Sequence, residues 1–220
     1  MSRFLIAPLA LACTLLGAAQ ANAADVRFNG FANGQETVHL SLTTPNTAVN
    51  EFVYAGGFSA TLDGGPSFTT YCVDVYQFLS FGTTYTDYNV VPGTAHAFAN
   101  THAVTDIGKL YAEGNAVNDA TAQAAFQIAV WEIAYETTGA YGLGNGSATF
   151  SGGTADTSGA LMLASGWLAS LTNGAHPNVS VLESREHQDM VFAPVPEPET
   201  YSLLLAGMAV VGYVARRRKA

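Results

Sequence analysis

The period of the apolar residues changes once along this chain, and that change constrains the fold more than any other feature. Up to about residue 91 apolar positions recur every second place; beyond Pro92 they recur every third or fourth. A β-rich half therefore precedes a helical half. Residues 25–44 alternate, with Val26 and Phe28 and then Val38, Leu40 and Leu42 on one parity around Asn33-Gly34, which predicts a hairpin. Further strands are expected over 52–62, 67–75 and 83–90, with Asp63-Gly64-Gly65-Pro66 as a turn. Helices are expected over 94–113, 118–137 and 157–171. A glycine-rich loop over 139–153 and a late return to strand at 178–182 and 190–193 complete the reading.

Both ends read as addresses rather than as domain. Arg3, the apolar run 4–19 and Ala21-Asn22-Ala23 form the three parts of an export signal, with cleavage between Ala23 and Ala24. At the other end Val195-Pro196-Glu197-Pro198 precedes the apolar run 201–215 and Arg216-Arg217-Arg218-Lys219. Fifteen residues of helix span about 22 Å, short of the roughly 30 Å hydrocarbon core, which suits a transient anchor with its basic end cytoplasmic. This arrangement resembles the PEP-CTERM sorting signal over its full length. The resemblance implies processing near Pro196, Glu197 and Pro198 by an exosortase, and display at the cell surface or in the extracellular matrix.

The expected organisation is thus a signal peptide over 1–23, an exported domain over 24–194 and a sorting signal over 195–220. The expected fold class is α+β, a β-sandwich-like sheet region with a helical subdomain of about three helices, flanked by the signal peptide and one C-terminal transmembrane helix. Between residues 25 and 197 only Arg27, Lys109 and Arg185 are basic, against sixteen acidic residues, a net charge of about −13. Nucleic acid is excluded as a partner on that balance.

Residues 118–137, NDATAQAAFQIAVWEIAYET, contain no Gly or Pro and open on Asn118-Asp119, either of which can cap a helix. At 100° per residue, Glu132 and Glu136 lie about 140° and 180° from Gln127. Taking the two carboxylates as the wet face points Gln127 inward, beside Trp131. An inward carboxamide is either a hydrogen-bonded core amide or one that has reacted.

Cysteine usage bears on that choice. With Cys13 inside the export signal, Cys72 is the mature chain's single cysteine, so an intramolecular disulfide is excluded. Four accounts remain: an inert buried thiol, an intermolecular disulfide, a nucleophile, or a thioester with a nearby carboxamide. Tyr71-Cys72-Val73-Asp74, followed 55 residues later by Gln127-Ile128-Ala129-Val130-Trp131, resembles the thioester domains of bacterial surface adhesins over roughly residues 52–138. The resemblance implies an internal crosslink between Cys72 and Gln127, with Tyr71, Ala129 and Trp131 as supporting motif residues. It also implies capture of a surface nucleophile, an amine or a hydroxyl, on a target such as extracellular polysaccharide. By analogy with other thioester proteins, His96 or His102 is the candidate base.

Other chemistry finds little footing. His96 and His102 are six apart, which does not align two ligands on a helix, and His176 and His187 fall in predicted loops, so no metal is expected. Asp63 lacks a spaced calcium loop, and Ser151 and Ser158 lack a nucleophile elbow. No cofactor is expected. Gln123, one turn before Gln127, is the competing acyl partner; the spacing to Ala129 and Trp131 favours Gln127. The function expected is covalent adhesion in a single turnover, without catalysis. The alternative is a noncovalent structural or carbohydrate-binding component of an extracellular polysaccharide matrix.

Overall fold

The computed structural model describes residues 23–43, 45–112, 117–153, 157–171, 174–193 and 207–208. Among the described residues, nine strands and three α-helices follow one another. They are β1 (Ala23–Phe31), β2 (Glu36–Leu42), β3 (Val49–Ala55), β4 (Phe58–Leu62), β5 (Ser67–Cys72), β6 (Thr84–Pro92), α1 (Ala103–Ala112), α2 (Ala120–Tyr135), β7 (Ala148–Gly152), α3 (Thr157–Ser170), β8 (Ser180–Glu183) and β9 (Met190–Phe192). The mixed α+β class with three helices stands.

The sheet region is not a sandwich. Six antiparallel strands close into a barrel in the order β1-β4-β5-β9-β8-β6, and β3-β2-β7 form a separate three-stranded sheet. The two halves of the predicted hairpin part company. β1 uses both edges inside the barrel, pairing Val26 with Leu62 of β4 and with Tyr85 of β6. β2 pairs instead with β3 and β7. A register shift between Phe28 and Gly30, the latter at φ +142°, bulges the β1 ladder, which runs on to the pair Phe31 and Phe58 before the chain leaves for the second sheet. Val26 and Phe28 fill the barrel, and Val38, Leu40 and Leu42 form the buried side of β2.

Two further elements differ from expectation. The glycine-rich stretch holds β7, in which Ala148 and Phe150 are buried opposite Leu42 and Leu40. The first helix begins at Ala103 rather than Thr94, because Asn100 breaks the run. Its side chain accepts the His102 N–H at 2.9 Å and donates to Ile133 O at 2.8 Å, so the stretch before α1 serves the C-terminal end of α2.

Helix α2 is wedged between the barrel and the three-stranded sheet, touching β5 on one side, β2, β3 and β7 on another, and α1 and α3. Asp119 caps it, accepting the Ala122 N–H at 2.8 Å. Every residue from Ala122 to Tyr135 is buried, which corrects the wet-face argument. Glu132 and Glu136 are buried too: Glu132 Oε1 accepts the Gly142 N–H at 2.7 Å, and Glu136 Oε2 accepts the Ser147 N–H at 2.8 Å. The two carboxylates answer backbone donors of the 142–147 segment, a demand that helical periodicity does not reveal.

Among the described residues no helix is long and apolar enough to cross a membrane. The predicted signal segment up to residue 22, the predicted transmembrane run apart from Gly207 and Met208, and Pro196, Glu197 and Pro198 lie outside the described residues. Ala23 and Ala24 open β1 and pair with Asn89 and Tyr88. Cleavage between them would remove one strand residue and leave the barrel's closure intact.

Candidate functional site

Four residues of α2 spaced four apart, Gln123, Gln127, Trp131 and Tyr135, form one row that faces β5 and its continuation. Each of the polar ones binds the strand. Gln123 Oε1 accepts the Tyr71 hydroxyl at 2.9 Å, while its Nε2 donates to Val117 O at 2.6 Å. Gln127 Oε1 accepts the Cys72 N–H and its Nε2 donates to Cys72 O, both at 2.8 Å. The Tyr135 hydroxyl donates to Val73 O at 2.8 Å and accepts the Val75 N–H at 3.2 Å.

Strand pairing explains why Cys72 needs such a partner. The Val73 N–H goes to Asp189 O on the β9 side at 2.9 Å, so the N–H and C=O of Cys72 face the side of β4. The β4 ladder stops at the pair Phe58 and Thr70. The Gln127 carboxamide occupies the place a further β4 peptide would take, and a primary amide carries the donor and acceptor that this place requires.

The thiol is fully buried, and that burial pushes its pKa up to about 12, with Trp131 pulling the other way and Asp74 adding to the rise. Cys72 Sγ donates to Asp74 O at 3.1 Å and accepts from Gln188 Nε2 at 2.9 Å. The Trp131 indole N–H lies near enough to the sulfur to lower the thiol's pKa, yet meets no acceptor in hydrogen-bond geometry. The structure thus brings Cys72, Gln127, Tyr71 and Trp131 together. Ala129, about 200° around α2 from Gln127, is fully buried on the helix's other side and touches none of this chemistry. Gln123 makes bonds of its own and leaves Gln127 as the amide at Cys72.

Gln188 carries no signal in the sequence. It lies in the charged turn between β8 and β9, where nothing in the sequence marks one residue as inward. That turn also gathers a serine, a histidine and an aspartate. Ser184 Oγ and Asp87 Oδ2 both approach the same ring nitrogen of His187, Nδ1, at 3.3 and 3.1 Å, and the Ser184 hydroxyl donates to Asp87. A proton relay needs the serine and the acid on opposite ring nitrogens. Here Ser184 also accepts the N–H groups of Glu186 and His187, so the cluster shapes the turn that aims Gln188.

The candidate bases separate. His96 precedes α1, and its Nδ1 lies 2.6 Å from Glu183 Oε1 in a cavity of about 260 Å³ that Asp74 and Asp189 also line. His102 lines a different cavity, with Asp106 and Tyr141. Neither ring makes a hydrogen bond to Cys72 or Gln127. A third and larger cleft, of about 520 Å³, is lined by Trp131 and Gln188 at the thiol end and by a group of aromatic rings further out.

These features describe a mixed barrel-and-helix domain in which a carboxamide binds the backbone of a buried cysteine. Residues 194–219 match the PEP-CTERM protein-sorting motif. That match implies export and sorting to the cell surface, with an exosortase as processing partner. The domain is similar to the N-terminal thioester domain of fibronectin-binding protein SfbI from Streptococcus pyogenes, with a TM-score of 0.48 and 10% identity over 80% of this chain and 95% of that one. At that identity the likeness says nothing of which side chains react. No curated protein matches the chain.

Proposed function

We propose that this is a covalent surface adhesin in which Cys72 and Gln127 condense into an internal thioester that later captures a nucleophile. The observation that carries the reading is the hydrogen bond from the Cys72 N–H to Gln127 Oε1. In acyl transfer, the backbone N–H of the nucleophilic residue itself serves as an oxyanion donor to the carbonyl it attacks. Cys72 stands in that relation to the Gln127 carbonyl. Attack of Sγ on Cδ places the developing charge on Oε1, against this donor; the C–Nε2 bond breaks, and the thiol proton leaves with the nitrogen as ammonia. Because burial holds the thiol protonated, activation rests on the carbonyl rather than on a preformed thiolate. Capture is the reverse kind of step with an outside nucleophile, one turnover per molecule, and no catalysis is involved.

A second reading is favoured by a different observation. The carboxamide already satisfies the Cys72 backbone, so Gln127 has a complete structural role without reacting, and Cys72 is then a core thiol in a noncovalent structural or carbohydrate-binding component of the extracellular matrix. Thiol titration of denatured protein, with and without prior methylamine, separates the two. The thioester reading expects no titratable thiol before methylamine and one after. A thiol present from the start supports the noncovalent reading.

A further inference from the structure

The large cleft beside the thiol has a composition that selects among nucleophiles. Phe52, Tyr54 and Phe78 stand at its edge with 63%, 62% and 78% of their surface exposed, an unusual display of rings. Toward the thiol it is lined by Trp131, whose buried indole N–H has the Cys72 sulfur near it but no acceptor in hydrogen-bond geometry among the described residues, and by Gln77, whose buried Oε1 meets no donor among them. Gln188, which also lines it, holds Cys72 Sγ. Among the described residues no basic one lines the cleft, and Glu51 is the charged group there.

We infer that this cleft seats a neutral glycan and that the nucleophile captured is one of its hydroxyls. An unpartnered donor and an unpartnered acceptor call for a group that both accepts and donates, which a hydroxyl does. An ammonium carries only donors and leaves the Trp131 N–H unanswered. Sugar rings present apolar C–H faces that pack on aromatic rings, and the absence of a lining cation argues against an anionic ligand. The inference rests on the thioester reading for its covalent step. In that step the hydroxyl oxygen bonds to Cδ of residue 127, the Cδ–Sγ bond breaks, and the hydroxyl proton passes to the sulfur, leaving an ester and a free Cys72 thiol.

The test uses the mature protein, its mass measured first, incubated in parallel with neutral hexasaccharides (α- and β-glucan, galactan, mannan) and with methylamine. The expected result is a hexasaccharide adduct of the wild type, formed about tenfold more slowly by Phe52→Ala and by Phe78→Ala, while both variants retain wild-type labelling by the small amine. Methylamine adducts without any saccharide adduct, or saccharide capture unaffected by either substitution, overturn the inference and leave the thioester reading standing. If the starting mass shows no thioester, that reading fails on its own. Titration of the Cys72→Ala protein with the same hexasaccharides, followed by tryptophan fluorescence, then decides the cleft: saturable binding supports a glycan site, and none from the panel overturns it.

Discussion

Gln127 grips Cys72 by its backbone, accepting its N–H and donating to its C=O at 2.8 Å each, while the thiol of the same residue turns to Asp74 O and Gln188. The residue that would lose its amide nitrogen in the reaction is thus already placed by the residue that would displace it. Removing this grip exposes two buried backbone groups at once. In the Cys72→Ala background, where no crosslink can form and both bonds remain, Gln127→Ala is expected to destabilise the domain by about 3 kcal/mol. Urea unfolding of the single and double variants checks it.

Glu132 makes stability fall as pH rises. Burial lifts its carboxyl from an ordinary 4.5 to about 7, with the Gly142 N–H opposing and Glu136 reinforcing the shift. A raised folded value means that the folded state holds the proton more tightly. This contribution is complete below about 4.5 and is lost as pH climbs through 7. Glu132→Gln, which keeps the acceptor for Gly142, is expected to match the wild type in melting temperature near pH 4 and to exceed it by several degrees near pH 8. Equal melting curves at both pH values would refute the assignment.

Gly57 gives Gln123 its room. A Cβ at this position would come within 1.9 Å of Gln123 Oε1 and 2.7 Å of Thr69 Cγ2. Gly57→Ala is therefore expected to cost about 1–3 kcal/mol and to break the bond between Gln123 and the Tyr71 hydroxyl. Chemical denaturation measures the first effect. Relief of the cost in Gly57→Ala/Gln123→Ala measures the second.

Much of this architecture is legible in the sequence because it follows from local rules. Helix α2 is set by its composition and the Asp119 cap, and α3 by its apolar run. The parity of β1 and β2 gives the right buried residues. What is not legible is which strand pairs with which: Phe28 and Leu40 alternate identically, yet one faces a barrel and the other a separate sheet, since both answers bury the same side chains. The wet face that points Gln127 inward in the sequence does not exist in the fold. The conclusion survives because α2 is buried all round, so the Glu132 and Glu136 positions carried no information about it. Gln188 and the two orphaned groups of the cleft arise from tertiary packing alone.

The tail should govern where the protein ends up. Cutting at residue 200, which keeps Pro196, Glu197 and Pro198 but removes the apolar run and the Arg-rich end, is expected to abolish retention and release the domain. Cell fractionation of full-length and truncated proteins tests this. Identical distributions, with the full-length form never shortened, contradict processing through the sorting motif.

Intact mass spectrometry of the purified domain reads the bond between Cys72 and Gln127 itself. Thioester formation expels ammonia, so the protein is expected to weigh about 17 Da less than its mature sequence. Cys72→Ala and Gln127→Ala should each show their full calculated mass. A wild-type mass equal to the sequence mass, with Cys72 free, rules the thioester out.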